Sequence, residues 1–334
     1  MEIATSRVAG IDFPDEVIAA SLRDGLDRVE TMLQAASRSD DLLLDEAAAH
    51  LAAAGGKRFR PLLVLLASQF GTPGGPDVDK AAVVVELTHL ATLYHDDVMD
   101  EADLRRGAPS ANARWDNSIA ILTGDYLFAA ASILVSELGP DAVRIQAETF
   151  QRLVNGQIRE TVDAPPGSDP VARYLDVLSE KTGSLIATSG RFGAMFAGAP
   201  RSVVDAMTEF GEAIGVAFQL SDDLIDITSD AEDLGKATGT DLREGVHTLP
   251  MLFTLADPNA DPELVALLRS GPLTDPARHA RALELLRQSP GMTATRGVLD
   301  EYVERARRAV DVLPDGAAKE SLDALVEFMQ IRSR

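Results

Sequence analysis

The sequence predicts an all-α fold, on three observations. Apolar residues recur at spacings of three and four along most of the chain, Pro and Gly gather in short breaks, and aromatic residues make up only 5% of a chain rich in Ala and Leu. Spacings of three and four put apolar side chains on one helical face. Ala and Leu are strong helix formers, whereas sheets draw on β-branched and aromatic residues. After Pro14, read as a first-turn proline, Ile18, Leu22, Leu26, Val29 and Leu33 form one such face. A second helix is expected over 42–54, stopped by Gly55 and Gly56, and a third is opened by Pro61 and ends near Gly71. Longer helices are expected over 78–100, 119–138, 143–161, 203–229 and 298–312. The breaks at 72–76, 105–110, 164–170 and 257–262 are rich in Pro, Gly and Asp and too short for an interdomain linker. No fixed-period repeat suggests a solenoid, so residues 1–334 are expected to form a single bundle and one domain.

Charge and composition narrow the partners. With 31 Lys and Arg against 53 Asp and Glu, the net charge of -22 repels polyanions, so no nucleic acid is expected. The same field repels anionic substrates unless basic clusters or divalent cations reverse it locally. The absence of Cys excludes disulfides, thiolate metal sites and cysteine nucleophiles, and suits a reducing cytoplasm. The N-terminal stretch lacks the charged start and apolar run of a secretory signal. No later segment reads as an uninterrupted apolar span, so no transmembrane segment is expected and the location is expected to be cytoplasmic.

Two segments repeat one pattern. Asp96, Asp97 and Asp100 stand in HDDVMD, and Asp222, Asp223 and Asp226 in SDDLID, so each is a DDxxD. Helical residues four apart share a face, which stacks Asp96 with Asp100 and Asp222 with Asp226. Like charges so placed weaken an exposed helix by roughly 0.2 to 0.5 kcal/mol per pair. Divalent cations offset that repulsion, and magnesium suits a few carboxylates, retained waters and phosphate oxygens. An isolated DDxxD in an acidic helical protein is more often a solvated face. Here ELTHLATLY before the first motif and the apolar residues of LSDDLIDI set the carboxylates beside a core. If the two helices face each other, all these carboxylates converge on one cavity able to hold several metals.

Basic residues point to the ligand. Lys57, Arg58 and Arg60 follow the Gly pair in GGKRFRP, and Arg105 and Arg106 stand in DLRRG. Arg offers a planar fork to phosphate oxygens and Lys a point charge, so these residues suit a polyphosphate. Taken singly, each cluster is more often a set of helix-end cations paired with carbonyls and the helix dipole.

Together, GGKRFRP, DDVMDEADLRRG, GDYL at 124–127, KTGSL at 181–185 and FQLSDDLID followed by GKATGTDLREG resemble the trans-isoprenyl diphosphate synthases, the polyprenyl synthetase family. The motifs occur in the family's order across most of 55–250. The resemblance implies an isoprenoid synthase type bundle around a central cavity, working as a homodimer. It implies that magnesium ions and an allylic diphosphate bind together, that the allylic C–O bond ionises, and that the double bond of isopentenyl diphosphate attacks the cation before a proton is lost. Carried over by position, Lys57, Arg60, His89 and Arg106 correspond to holders of isopentenyl diphosphate. Arg105, Lys181, Thr182, Gln219 and Lys236 correspond to contacts of the allylic diphosphate. Asp96, Asp97 and Asp100 correspond to one metal set, and Asp222, Asp223 and Asp226 to the other.

His89 lies seven residues before Asp96, on the same helical face. A lone His there is also compatible with a hydrogen-bonded core residue. Two positions depart from the family: Gly156-Gln157-Ile158-Arg159-Glu160-Thr161 stands where GExxQ is frequent, and Val246 where Lys is frequent. The former resembles long-chain synthases of actinobacterial type, and Arg243 or His247 is a candidate substitute for the missing Lys. Short-chain relatives carry a bulky ring four or five residues before the first Asp. Ala91 and Thr92 stand there, with Thr88 and Val84 deeper, which suggests a long-chain product. The competing readings are a geranylgeranyl- or farnesyl-length synthase, a terpene cyclase, and a non-catalytic prenyl-binding subunit of a heteromeric synthase; the second DDxxD and GGKRFRP disfavour the cyclase, and the intact aspartates the non-catalytic subunit.

Overall fold

The computed structural model describes residues 6–53, 55–105, 107–228 and 238–332. Helix α1, Glu16–Ala36, is started by Asp15, whose carboxylate accepts from the Ile18 backbone N–H at 2.8 Å. Pro14 therefore precedes the cap rather than opening the first turn, because an N-cap oxygen satisfies the otherwise orphaned amides. Ile18, Leu22, Val29 and Leu33 are buried as expected, but Gly25 takes the buried place beside Leu26. A Cβ on Gly25 would come within 2.9 Å of the Leu65 side-chain methyls, so a larger residue there would require Leu65 to shift.

Helix α2 spans Leu42–Ala53 and α3 spans Phe59–Ala67, continued by a tight turn at Ser68–Phe70. The third helix thus begins two residues before Pro61. Arg58 sets its start by adopting a left-handed backbone (φ 48°, ψ 38°). Helix α4, Pro76–Met99, has proline in its first turn and buries an almost unbroken run from Ala81 to Thr88. The break at 105–110 is a hairpin, Leu104–Arg105 pairing antiparallel with Ala108–Pro109, rather than an open loop. Two-residue strands carry no periodicity that a sequence could reveal.

Next come α5, Ala111–Arg114, α6, Asn117–Ser136, α7, Pro140–Thr161, and α8, Pro170–Leu178. A wide turn at Ser179–Gly183 joins α8 to α9, Ser184–Phe196, and α10 follows as Arg201–Thr228. The helix expected over 298–312 runs from Pro290 to Val310, since a proline in the first turn lacks only an N–H that has no helical partner. Among the described residues, strands occur only as two short hairpins. The fold is all-α.

Two compact units are distinguished. The first holds residues 1–151, 185–211 and 309–324, the second residues 152–184, 212–308 and 325–334. In the first unit α4 packs against α1, α3 and α6, and α6 also meets α2 and α5. In the second, α8 meets the helix Leu249–Ala256, which in turn meets Pro262–Arg269. Helix α6 is long and apolar enough to cross a membrane by length and composition alone, contrary to the expectation that no segment would be. Asp125 interrupts it, and Gly124 lets it approach α4 so closely that a Cβ would overlap the His95 ring.

Candidate active site

The first acidic motif closes α4. Asp100 caps the helix, its N–H donating to the Asp96 carbonyl at 2.8 Å, so these two residues stand one turn apart. Asp97 points inward and is fully buried. Its Oδ1 accepts from Arg105 Nε at 2.5 Å, while Oδ2 is buried without a hydrogen-bond partner among the described residues. Burial raises its pKa, and Arg105 only partly offsets that. Arg105 reaches over from the hairpin, with its other nitrogen 3.9 Å from Asp100 Oδ2. The hairpin is anchored there by Ala102 N–H on the Asp97 carbonyl and by the Ser110 hydroxyl on the Ala102 carbonyl.

Lys57 and Arg60 flank Arg58 in the segment that opens α3. Arg58 is turned into the fold. It donates to Glu30 Oε2 and to buried Glu86 Oε1, each at 2.9 Å, and to the Ala52 carbonyl at 2.9 Å. It is thus a structural tie between α1, α2 and α4. His89 is partly exposed on α4, two turns before Asp96. Arg106 and Lys236 lie outside the described residues.

The second motif lies on α10. Asp223 is 3% exposed. It accepts from Tyr174 Oη at 2.5 Å and from Gln219 Nε2 at 3.3 Å. Burial pushes its carboxyl up to about 7. Asp226 accepts from the backbone N–H groups of Thr240 and Asp241 at 3.1 and 3.2 Å, which places Asp241 beside it. Burial, then the charges of Asp226 and Asp223, push the Asp241 carboxyl up to about 8. Gln219, matched to the allylic diphosphate by sequence, is engaged with Asp223. Lys181 Nζ lies 2.5 Å from Glu160 Oε2, and Thr182 follows it in the wide turn. Sequence reasoning missed Tyr174, Asp241 and Glu160. Their only signal was position, Tyr174 two helical turns before Lys181 and Asp241 within the quoted GTDLREG segment.

These raised values have a sign. Asp223 and Asp241 favour their protonated forms in the fold, so the stability they contribute is fully present below the ordinary carboxylate range and is lost as pH rises through about 7 and about 8. Asp241→Asn is therefore expected to gain melting temperature over the parent progressively from about pH 5 to about pH 8 in the presence of chelator. Calorimetric scans across that range check it, and a pH-independent difference would contradict it.

Among the described residues, no three of His, Asp and Glu stand close enough together to hold a metal ion unaided. The donor chemistry nevertheless fits a hard divalent cation. Both motifs supply carboxylate oxygens only, one buried oxygen of Asp97 lacks a partner among the described residues, and Asp223, Asp226 and Asp241 crowd like charges that a cation would neutralise.

Residues 41–286 match the family profile of polyprenyl synthetase. The chain is 49% identical to a nonaprenyl diphosphate synthase of Mycobacterium tuberculosis (strain ATCC 25618 / H37Rv), over 98% of each chain. It is 40% identical to a dimethylallyltranstransferase of the same organism, over 96% of this chain and 98% of the other. Among solved structures, a geranylgeranyl pyrophosphate synthase from Corynebacterium glutamicum, complexed with calcium and isoprenyl diphosphate, superposes with a TM-score of 0.86 at 49% identity, covering 97% of this chain and 99% of that one. The chain belongs to the polyprenyl synthetase family. It is an enzyme of the prenyltransferase class, with the all-α isoprenoid synthase fold.

Proposed function

We propose that the chain condenses isopentenyl diphosphate with an allylic diphosphate to give a longer all-trans polyprenyl diphosphate. The observation that carries this reading is that each acidic motif adjoins a partly exposed cation already resting on a carboxylate. Arg105 sits on Asp97, and Lys181 on Glu160 beyond the helix whose Tyr174 holds Asp223. A diphosphate can take over such cations, because charge-assisted contacts to its oxygens replace those to the carboxylates.

Asp96 and Asp97 on α4 with Asp100 at its C-cap, and Asp222, Asp223 and Asp226 on α10, would hold magnesium ions. Bound with the allylic diphosphate, magnesium neutralises the leaving group. Arg105, Lys181, Thr182, Gln219 and Lys236 hold that diphosphate while the allylic C–O bond breaks, its electron pair leaving with the diphosphate. Lys57, Arg60, His89 and Arg106 hold isopentenyl diphosphate so that its double bond attacks the allylic carbon. A proton then passes from the new chain to the departing diphosphate. The apolar body of α4 keeps water from the cation.

The product is long-chain on this reading, because Ala91 and Thr92 set no ring before the first motif, although the relatives' own names include both nonaprenyl and geranylgeranyl lengths. The whole of 1–334 acts as one synthase domain, supported by relatives matched nearly end to end. A second copy of the chain is the natural cover for α6, where Ile121, Leu122 and Ile133 stand exposed. The lack of cysteine accords with a cytoplasmic location.

Separate Michaelis constants test the two diphosphate sites. Lys57→Ala is expected to raise KM for isopentenyl diphosphate by about tenfold or more and Lys181→Ala to do the same for the allylic substrate, each losing a charge-assisted contact to one ligand. Equal weakening of both substrates by both changes would count against the assignment.

A further inference from the structure

Lys181 and Thr182 stand in an unusual piece of helix. Between α8 and α9 the Ser184 N–H donates to the Ser179 carbonyl five residues back, so Ser179–Gly183 is a π-helical turn. Such a turn admits one extra residue and swings the side chains beyond it by about 100° relative to a regular helix. Isolated π turns are uncommon and need local support.

The support here is concentrated on the first residue of the turn. Arg152 on α7 makes a two-pronged ion pair with Glu212 on α10, at 3.0 Å to Oε2 and 2.6 Å to Oε1. One guanidinium nitrogen also reaches the carbonyl and hydroxyl oxygens of Ser179, at 3.3 and 3.2 Å. The Ser179 hydroxyl donates to Glu212 Oε1 at 2.5 Å, closing a triangle of three side chains. Two glycines permit close approach at the turn, Gly156 from α7 against it and Gly183 within it against Glu212. A Cβ on Gly156, one turn beyond Arg152, would lie 2.8 Å from the Lys181 backbone nitrogen, and one on Gly183 would lie 3.3 Å from Glu212 Oε1. Glu212 is mostly buried and shares α10 with Gln219, Asp222, Asp223 and Asp226. The helix that bears the second acidic motif therefore also fixes the turn that bears Lys181.

We propose that Arg152, Glu212 and Ser179 form a positioning clamp that sets this π turn and so aims Lys181 and Thr182 at the allylic diphosphate. The inference rests on the assignment of Lys181 and Thr182 to that ligand. Glu160 completes the arrangement by holding the Lys181 ammonium until the diphosphate displaces it. The three clamp residues bond to one another, so on this proposal their removal alters binding only through the turn.

Steady-state kinetics on the full chain, with both substrates varied, test the clamp. Arg152→Ala is expected to raise KM for the allylic diphosphate about tenfold, with KM for isopentenyl diphosphate moving less than about twofold. Arg152→Lys keeps the charge and loses the fork, and should recover part of the loss. Ser179→Ala deletes one hydroxyl, leaves the ion pair in place and should shift the allylic KM in the same direction by a smaller factor. It is the deciding variant if Arg152→Ala does not fold. Lys181→Ala, measured alongside, separates the two levels of the argument. If it raises the allylic KM while the folded clamp variants change neither KM, or change both equally, the clamp is overturned and the role of Lys181 stands. If Lys181→Ala leaves the allylic KM unchanged, the role of Lys181 fails and the clamp with it.

Discussion

Replacing Asp96 or Asp222 with Ala should lower turnover by about a thousandfold or more, equivalent to ~4 kcal/mol of lost transition-state stabilisation, with little change in melting temperature. Leaving-group charge develops only as the allylic C–O bond breaks, so a carboxylate that anchors the neutralising cation acts chiefly in the transition state. Its loss therefore falls on kcat more than on KM. Stability is expected to move little and in the other direction, since each motif places like charges one turn apart at roughly 0.2 to 0.5 kcal/mol per exposed pair. Asp96 and Asp222 are the members to change, because they are partly exposed, whereas Asp97 and Asp223 are buried and their loss would also disturb the fold. Turnover measured beside circular dichroism melting checks this. A folded Asp96→Ala protein of unaltered turnover would reduce the first motif to a solvated acidic face.

The second large effect concerns product length. On α4, Ala91 lies five residues and Thr88 eight residues before Asp96, and both are buried in the first compact unit. If the growing tail descends along that helix, Ala91→Phe inserts a ring one turn above Thr88, whose hydroxyl is held by Gln146 Nε2 at 2.5 Å. The expected product is shortened by several isoprene units, while the first condensation proceeds at nearly the parent rate because both acidic motifs are untouched. The competing account is packing. The Ala91 carbonyl lies so near Gly124 that a Cβ there would approach it to 3.1 Å, and α4 and α6 meet closely at this level. Overpacking would destabilise the fold, typically by about 1 to 3 kcal/mol, and depress all products together. Product masses and a melting curve on one preparation separate the outcomes. A folded, active variant with the parent's product masses would refute the tail path.

Much of the fold was legible because helical spacing is a local signal. The ranges expected for the helices at 78–100, 119–138 and 143–161 fall within about three residues of those observed at Pro76–Met99, Asn117–Ser136 and Pro140–Thr161. Errors lie where local chemistry overrides spacing, as with the Asp15 cap ahead of α1 and the left-handed Arg58 ahead of α3. The aspartates were legible because the motif occurs twice. The groups that fix them in place were not. Tyr174 lies 49 residues from Asp223, and Arg152 lies 60 residues from Glu212, and such pairings exist only once the chain has folded. Arg58 shows the converse, a cation inside the GGKRFRP segment whose charge is used internally by Glu30 and Glu86.

The most direct test of the central claim is the product of the pure protein given labelled isopentenyl diphosphate, a set of allylic diphosphates and magnesium, read by mass spectrometry. The account predicts linear polyprenyl diphosphates longer than the starter by whole isoprene units, reaching beyond the geranylgeranyl length, and none when magnesium is chelated. Cyclised hydrocarbon from the allylic diphosphate alone, or no consumption of isopentenyl diphosphate by folded protein, would contradict it.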